Sequence, residues 1–175
     1  MGGVRLHPKL GFKNNMKDTS MTFQIHALPP FRFSDIHNAS QAELEAQGVK
    51  RIQVDAKPGY LCRISLKDAE IGESVFLLNF THQPHPTPYQ SSHAIFINTH
   101  LEPSQIGVNE IPIDLSVRHL SVRAFNKEHH LVDAKICEGI ELKNCIHTLF
   151  ANEYAVYLHI HHSAYGCYIA KVTRG

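Results

Sequence analysis

The chain has no tryptophan and only 4 cysteines among its 175 residues. Cys62, Cys137, Cys145 and Cys167 form no Cys-x-x-Cys pair, which removes the zinc-ribbon and thioredoxin signatures. In a reducing compartment they are expected to be thiols. Long apolar runs are also missing: stretches such as Val75-Phe76-Leu77-Leu78 fall far short of the ~18 residues that a membrane span requires, so no membrane partner is expected. The N-terminal basic residues are not followed by a continuous apolar segment, so a secretory signal is not expected and a cytoplasmic location is. No Gly-rich loop joins a strand to a helix, which excludes P-loop and dinucleotide-binding readings.

Neither sign of charge dominates, with 17 Lys+Arg against 16 Asp+Glu. Residues 1–20 hold Arg5, Lys9, Lys13 and Lys17 against Asp18, a net of +3, which leaves 13 basic and 15 acidic side chains, a net of −2, for the remainder. Nucleic-acid affinity rests on many phosphates neutralised together, and no basic stripe follows residue 20, so no nucleic-acid partner is expected. The Gly, Asn and Lys content of residues 1–20 reads as a disordered N-terminal extension. Residues 21–175 read as a single globular domain, long enough to bury a core without disulfides or a structural metal.

From Met21 onward the pattern is ordered. Residues 22–28 alternate apolar and polar, a strand that Pro29-Pro30 ends. Ser40-Gln41-Ala42-Glu43 has capping-box spacing and Gly48 a C-terminal position, predicting a helix over 41–47. Residues 51–56 and 60–66, split by Lys57-Pro58-Gly59, read as a hairpin. Two further strands at 74–80 and 93–99 flank residues 81–92, where Pro84, Pro86 and Pro88 predict a long, stiff, extended loop. Residues 100–116 look irregular. Strands at 118–125 and 130–136 follow, then a helix over 140–150 with Leu142, Cys145, Ile146, Leu149 and Phe150 on one face, and strands at 155–162 and 167–172. The expectation is an α+β domain, predominantly an antiparallel β-sheet of about nine strands with two helices.

What the chain has in abundance is histidine, 14 in all. Alternation along residues 155–162 puts Tyr157, His159 and His161 on one face, with the two imidazole-bearing Cβ atoms about 7 Å apart. A His-x-His strand presents two ligands to one ion, and neutral imidazole suits a divalent metal such as Zn or Fe. The third ligand is expected from His82 or His93, or from His85, with an open fourth position making the site catalytic in geometry. The competing reading leaves these histidines hydrogen-bonded or facing solvent.

Arg63 and Arg123 fall in the middle of predicted strands, where a guanidinium needs a carboxylate or an anionic ligand. Asp55, Asp133 or Glu138 would serve as ion-pair partners; alternatively a small anion binds there, with Tyr89, Ser91 and Ser92 as donors and a histidine as general acid or base. Cys62 and Cys167 are candidate nucleophiles, because each adjoins a polar candidate whose positive charge would favour the thiolate.

The runs Asp55–Leu66, Phe80–Pro84 with Pro88-Tyr89, Ser92–Phe96, Leu120–Phe125, Tyr157–His161 and Gly166-Cys167-Tyr168 resemble the bacterial domain-of-unknown-function family 1203, over about residues 21–175. The resemblance implies no activity. The residues themselves point to a small cytosolic enzyme or enzyme-like domain. Its catalytic candidates are His82, His93, Arg63, Arg123, Tyr89, Cys62 and Cys167, and its metal candidates His159, His161, His82 and His93, in a pocket between residues 81–92 and the terminal hairpin. The alternative is a non-catalytic interaction or ligand-binding domain in which these groups form a structural network.

Overall fold

A computed structural model describes residues 21–175; the expectation for residues 1–20 lies outside that range. Its strands are β1 (Phe23–His26), β2 (Lys50–Gln53), β3 (Ser74–Gln83), β4 (Ser91–Asn98), β5 (His119–Phe125), β6 (Leu131–Glu138), β7 (Tyr157–His162) and β8 (Tyr168–Arg174). Its α-helices are α1 (Ser34–Asn38), α2 (Gln41–Ala46), α3 (Ile113–Ser116) and α4 (Leu142–Phe150). The α+β, mostly antiparallel architecture is as expected, but the described residues form eight strands rather than nine and four helices rather than two. The strands divide between a five-stranded sheet, ordered β1-β8-β7-β5-β6, and a three-stranded sheet, β2-β3-β4. No helix of the described residues is long and apolar enough to cross a membrane.

Helix α2 starts where its capping box places it: the Ser40 hydroxyl accepts from the Glu43 backbone N–H while the Glu43 carboxylate accepts from the Ser40 N–H, satisfying donors that the first turn leaves free. Helix α4 buries Leu142, Cys145, Ile146, Leu149 and Phe150 against one face of the large sheet, where Leu120, Val122, Ala124, Leu158, Ile160 and Val172 meet them. Each Leu, Ile, Val or Phe among them contributes about 1.5–3 kcal/mol by leaving water. A second apolar cluster joins Phe76, Leu78, Phe80, Ile95 and Ile97 of the small sheet to Phe33, Leu44 and Val49.

The missing strand is residues 60–66. Leu61 and Cys62 make only isolated bridges, to Asp68 and Phe96, and the chain then turns, with the Leu66 N–H donating to the Cys62 carbonyl. Every residue from Leu61 to Leu66 is buried. Leu61 and Leu66 belong to the first cluster, whereas Cys62 and Ile64 belong to the second. An alternating pattern here therefore records a turn driven between two cores, with no solvent face for the polar positions. The extended loop is also shorter than expected, because β3 and β4 pair out to Gln83 and Ser91. Val156, placed in a strand by its alternation, precedes β7 and is exposed.

The buried turn is braced at its far end. Arg118 Nη2, just before β5, donates to both carboxylate oxygens of Asp68 at 2.6 and 2.7 Å, and both side chains are nearly inaccessible. Asp68→Asn should lower unfolding free energy in urea by about 3–5 kcal/mol, because it strands a buried guanidinium. Replacing both partners, Asp68→Leu with Arg118→Met, should cost clearly less than that single change.

Candidate functional site

One end of the small sheet abuts the large sheet's second face. In β7, Tyr157, His159 and His161 stand opposite Phe125, Arg123 and Ser121 of β5, and the Cα register with β8 shifts so that His161 faces Tyr168. In β3 the register slips between Thr81 and Gln83, with Thr81 opposite Ser92 and Gln83 opposite Ser91, which makes His82 the extra residue of a bulge. Bulges bend a strand and re-aim its side chains. Here two consecutive residues both reach the large sheet: His82 packs edge-on against His159 and His161, and Gln83 Nε2 donates to the Tyr157 hydroxyl at 2.8 Å.

The result is a buried imidazole cluster. One ligand atom from each of His82, His159 and His161 lies within 4.8 Å of the other two. His159 and His161 are 3% and 0% exposed, and the Tyr168 ring stacks on His82 with centroids 4.9 Å apart. His82 Nδ1, His159 Nδ1 and His161 Nε2 are buried with no hydrogen-bond partner. The tautomer of His161 is assigned by its neighbour: Nδ1 lies 2.8 Å from the Gly166 carbonyl oxygen, which only accepts, so Nδ1 carries the proton and Nε2 bears a lone pair. His82 Nε2 is 2.8 Å from His93 Nδ1. If Nε2 is the donor, His82 Nδ1 likewise presents a lone pair.

Burial holds these imidazoles neutral. It lowers His82 to about 4, assisted by His93 and Arg123. His159 falls to about 3, with His82, Lys171 and Arg123 adding to burial, and His161 to about 2, chiefly by burial and then Arg123. Neutral imidazoles are the form that binds metal. Beside the cluster opens a cavity of about 320 Å³ into which His82, His159, Tyr157 and Tyr168 project, together with Arg32, Lys171 and His129. Its lining includes no carboxylate among the described residues.

The other residues singled out from sequence are distributed more widely. His93 is in contact with the cluster, as the hydrogen-bond partner of His82. Arg123 is half-buried beside it: a Cβ on Gly166 would lie 3.6 Å from His93 Nε2 and 3.9 Å from Arg123 Nη2. His85 stacks on His129 at the rim, and Tyr89 is exposed near His130. Cys62 is buried, its sulfur accepting from the Ile64 and Asn98 N–H groups. Arg63 is not in a strand and pairs with none of Asp55, Asp133 and Glu138; its Nε donates to the Tyr168 carbonyl at 2.7 Å and its Nη1 to the Leu61 carbonyl. Arg63 and Cys167 line a different cavity from His82 and His159, and His93, His161, Arg123, Tyr89 and Cys62 line neither, so these residues do not share the single pocket expected. Tyr168, Gln83 and Lys171 were not singled out from sequence. Tyr168 and Gln83 reach the site through register shifts that span two strands.

A family model described as protein of unknown function (DUF1203) matches residues 59–174, and the chain belongs to that family. The match spans every residue of the imidazole cluster. Neither the curated proteins nor the solved structures compared with the chain gave a match.

The lowered imidazoles make a signed pH prediction for metal-free protein. Unfolded chains protonate these groups near 6.5, whereas the folded protein resists until about 3 and about 2. The contribution is therefore fully present above 6.5 and is lost as pH falls below it, by about 1.4 kcal/mol per pH unit for each of His159 and His161. Urea unfolding in EDTA between pH 7 and pH 4.5 should show at least that slope, with His82 and His162 adding to it, and the double variant His159→Asn, His161→Asn should reduce it by their share.

Proposed function

We propose that this member of the DUF1203 family is a metal-dependent enzyme acting on a small anionic substrate. His82, His159 and His161 would hold one divalent ion, zinc or iron, with a coordination position left toward the 320 Å³ cavity. The observation that carries the reading is the set of three unpartnered imidazole nitrogens, all buried and all on residues of one cluster. Buried polar atoms normally find partners. A cation held by the cluster would give these nitrogens the partner they lack.

Two orienting contacts support ligation over a purely structural role. Metal-binding imidazoles usually donate their second nitrogen to a carbonyl or another acceptor, which fixes ring and tautomer. The Gly166 carbonyl stands in that position for His161 and His93 for His82. Three neutral ligands leave the ion its full positive charge, so an ion held there would lower the pKa of a bound water to about 7 or polarise a substrate oxygen.

The anionic substrate follows from the walls. Lys171 sits over the Tyr157 ring at 4.5 Å and Arg32 over the Phe80 ring at 4.8 Å, and both line the cavity without a carboxylate beside them in its lining. Such a surface attracts negative charge and would hold an anion against the ion's open position.

Zinc titration by calorimetry, on protein purified without a histidine tag, should give one site per chain. His82→Ala, His159→Ala and His161→Ala should each abolish saturable binding, whereas His93→Ala should weaken it by about 10–100-fold, the loss typical of an orienting partner. No saturable binding of zinc or ferrous iron would overturn the proposal and leave a hydrogen-bonded network in a non-catalytic ligand-binding domain.

A further inference from the structure

The second cavity, about 640 Å³, lies apart from the imidazole cluster and takes its walls from Tyr60, Leu77, Ala94 and Phe96, with Arg63 and Cys167 also lining it. Its walls are largely apolar, and the Tyr60 and Phe96 rings meet along one side with centroids 5.1 Å apart. Arg63 is 2% exposed. Its hydrogen bonds use Nε and Nη1 and go to backbone carbonyls, and among the described residues Nη2 has no acceptor.

Charge near Arg63 does not balance. The titratable groups that act on it are the Cys167 and Cys62 thiols, Arg118 and Asp68; of these Asp68 is the carboxylate, and it is engaged by Arg118, which holds both its oxygens. Two guanidinium groups thus share one carboxylate. His162 also lines the cavity, and burial together with the two arginines lowers it to about 4, so it adds no charge at neutral pH. Asp55 stands at the mouth, exposed, with its carboxylate accepting from the Tyr60 hydroxyl at 2.7 Å. A guanidinium remains charged under all ordinary conditions, and burying it without a counter-charge is costly.

We propose that this cavity binds a small monocarboxylate with an aromatic or branched apolar body, its carboxylate taken by Arg63 Nη2 and its body packed against Tyr60 and Phe96. The N–H groups of Nη2 suit the oxygens of one carboxylate, a charge-assisted pairing. A phosphate brings more charge and hydration than Arg63 can replace in these walls, since Arg118, which also lines the cavity, is already held by Asp68. The volume falls within the range of small-molecule sites. The proposal is independent of any metal at the imidazole cluster.

The test uses full-length protein in EDTA, so that no carboxylate can bind through a metal, with benzoate, phenylacetate and 4-methylvalerate as probes. Each is compared with its neutral amide and with inorganic phosphate. At saturation at least one carboxylate should raise Tm by about 2 °C or more, and by at least threefold more than its amide or phosphate. Ala94→Trp fills the cavity from an exposed position and leaves the bonds of Arg63 intact; it should abolish the shift. In unmutated protein, nuclear Overhauser contacts should run from the ligand's apolar protons to the Tyr60 and Phe96 rings. The proposal is overturned if no carboxylate exceeds its amide, if the shift survives Ala94→Trp in a folded variant, or if the ligand's contacts lie elsewhere.

Discussion

The arrangement between the two sheets turns on three neutral imidazoles kept out of water. An unsatisfied buried polar group costs about 1–3 kcal/mol, so three such nitrogens cost several, a sizeable share of the about 5–15 kcal/mol that stabilises a typical domain. The surrounding structure holds them there. Tyr168 stacks on His82, and the Gly166 carbonyl and His93 occupy the outward-facing nitrogens of His161 and His82. Side chains clamped in this way are pre-organised for a ligand, since little rotamer freedom remains to be lost when one binds.

Two sheets of unequal size make this arrangement possible. The large sheet gives one face to helix α4 and an ordinary apolar core, and its other face carries Arg123, His159, His161 and Tyr168. The small sheet supplies the complementary half, His82 and His93, from the paired ends of β3 and β4. Between them runs the buried turn 61–66, which belongs to both cores. Arg63 in that turn donates to the carbonyl of Tyr168, whose ring lies on His82. The two cavities are thus separate spaces with no lining residue in common, joined through the bond from Arg63 to the Tyr168 backbone.

Local pattern made several of these features legible. The apolar stripe of α4, the capping box at Ser40 and the common face of His159 and His161 all follow from periodicities of 3.6 and 2, which survive in the folded chain. What periodicity does not encode is register. The slip at Thr81–Gln83 that brings His82 inward depends on pairing with Ser91 and Ser92, and the slip that sets Tyr168 beside His161 depends on the β7–β8 pairing. Residues 60–66 read as one arm of a hairpin because Lys57-Pro58-Gly59 marks a turn before them, and that signal does not reveal that the chain bends again at once, with the Leu66 N–H on the Cys62 carbonyl. The arginine pairing was missed for a related reason: Arg118 and Asp68 are 50 residues apart, and Arg63 satisfies itself on carbonyls that carry no sequence signal.

The claim on which the functional account rests is that His82, His159 and His161 bind one ion together. X-ray absorption fine structure of the zinc-loaded protein tests it most directly. The account predicts a first shell of nitrogen and oxygen at about 2.0–2.1 Å with outer-shell scattering from three imidazoles, and no sulfur. A sulfur shell near about 2.3 Å would place the ion on a cysteine. A shell without imidazole scattering would show that the cluster holds no metal. Either result would contradict the account.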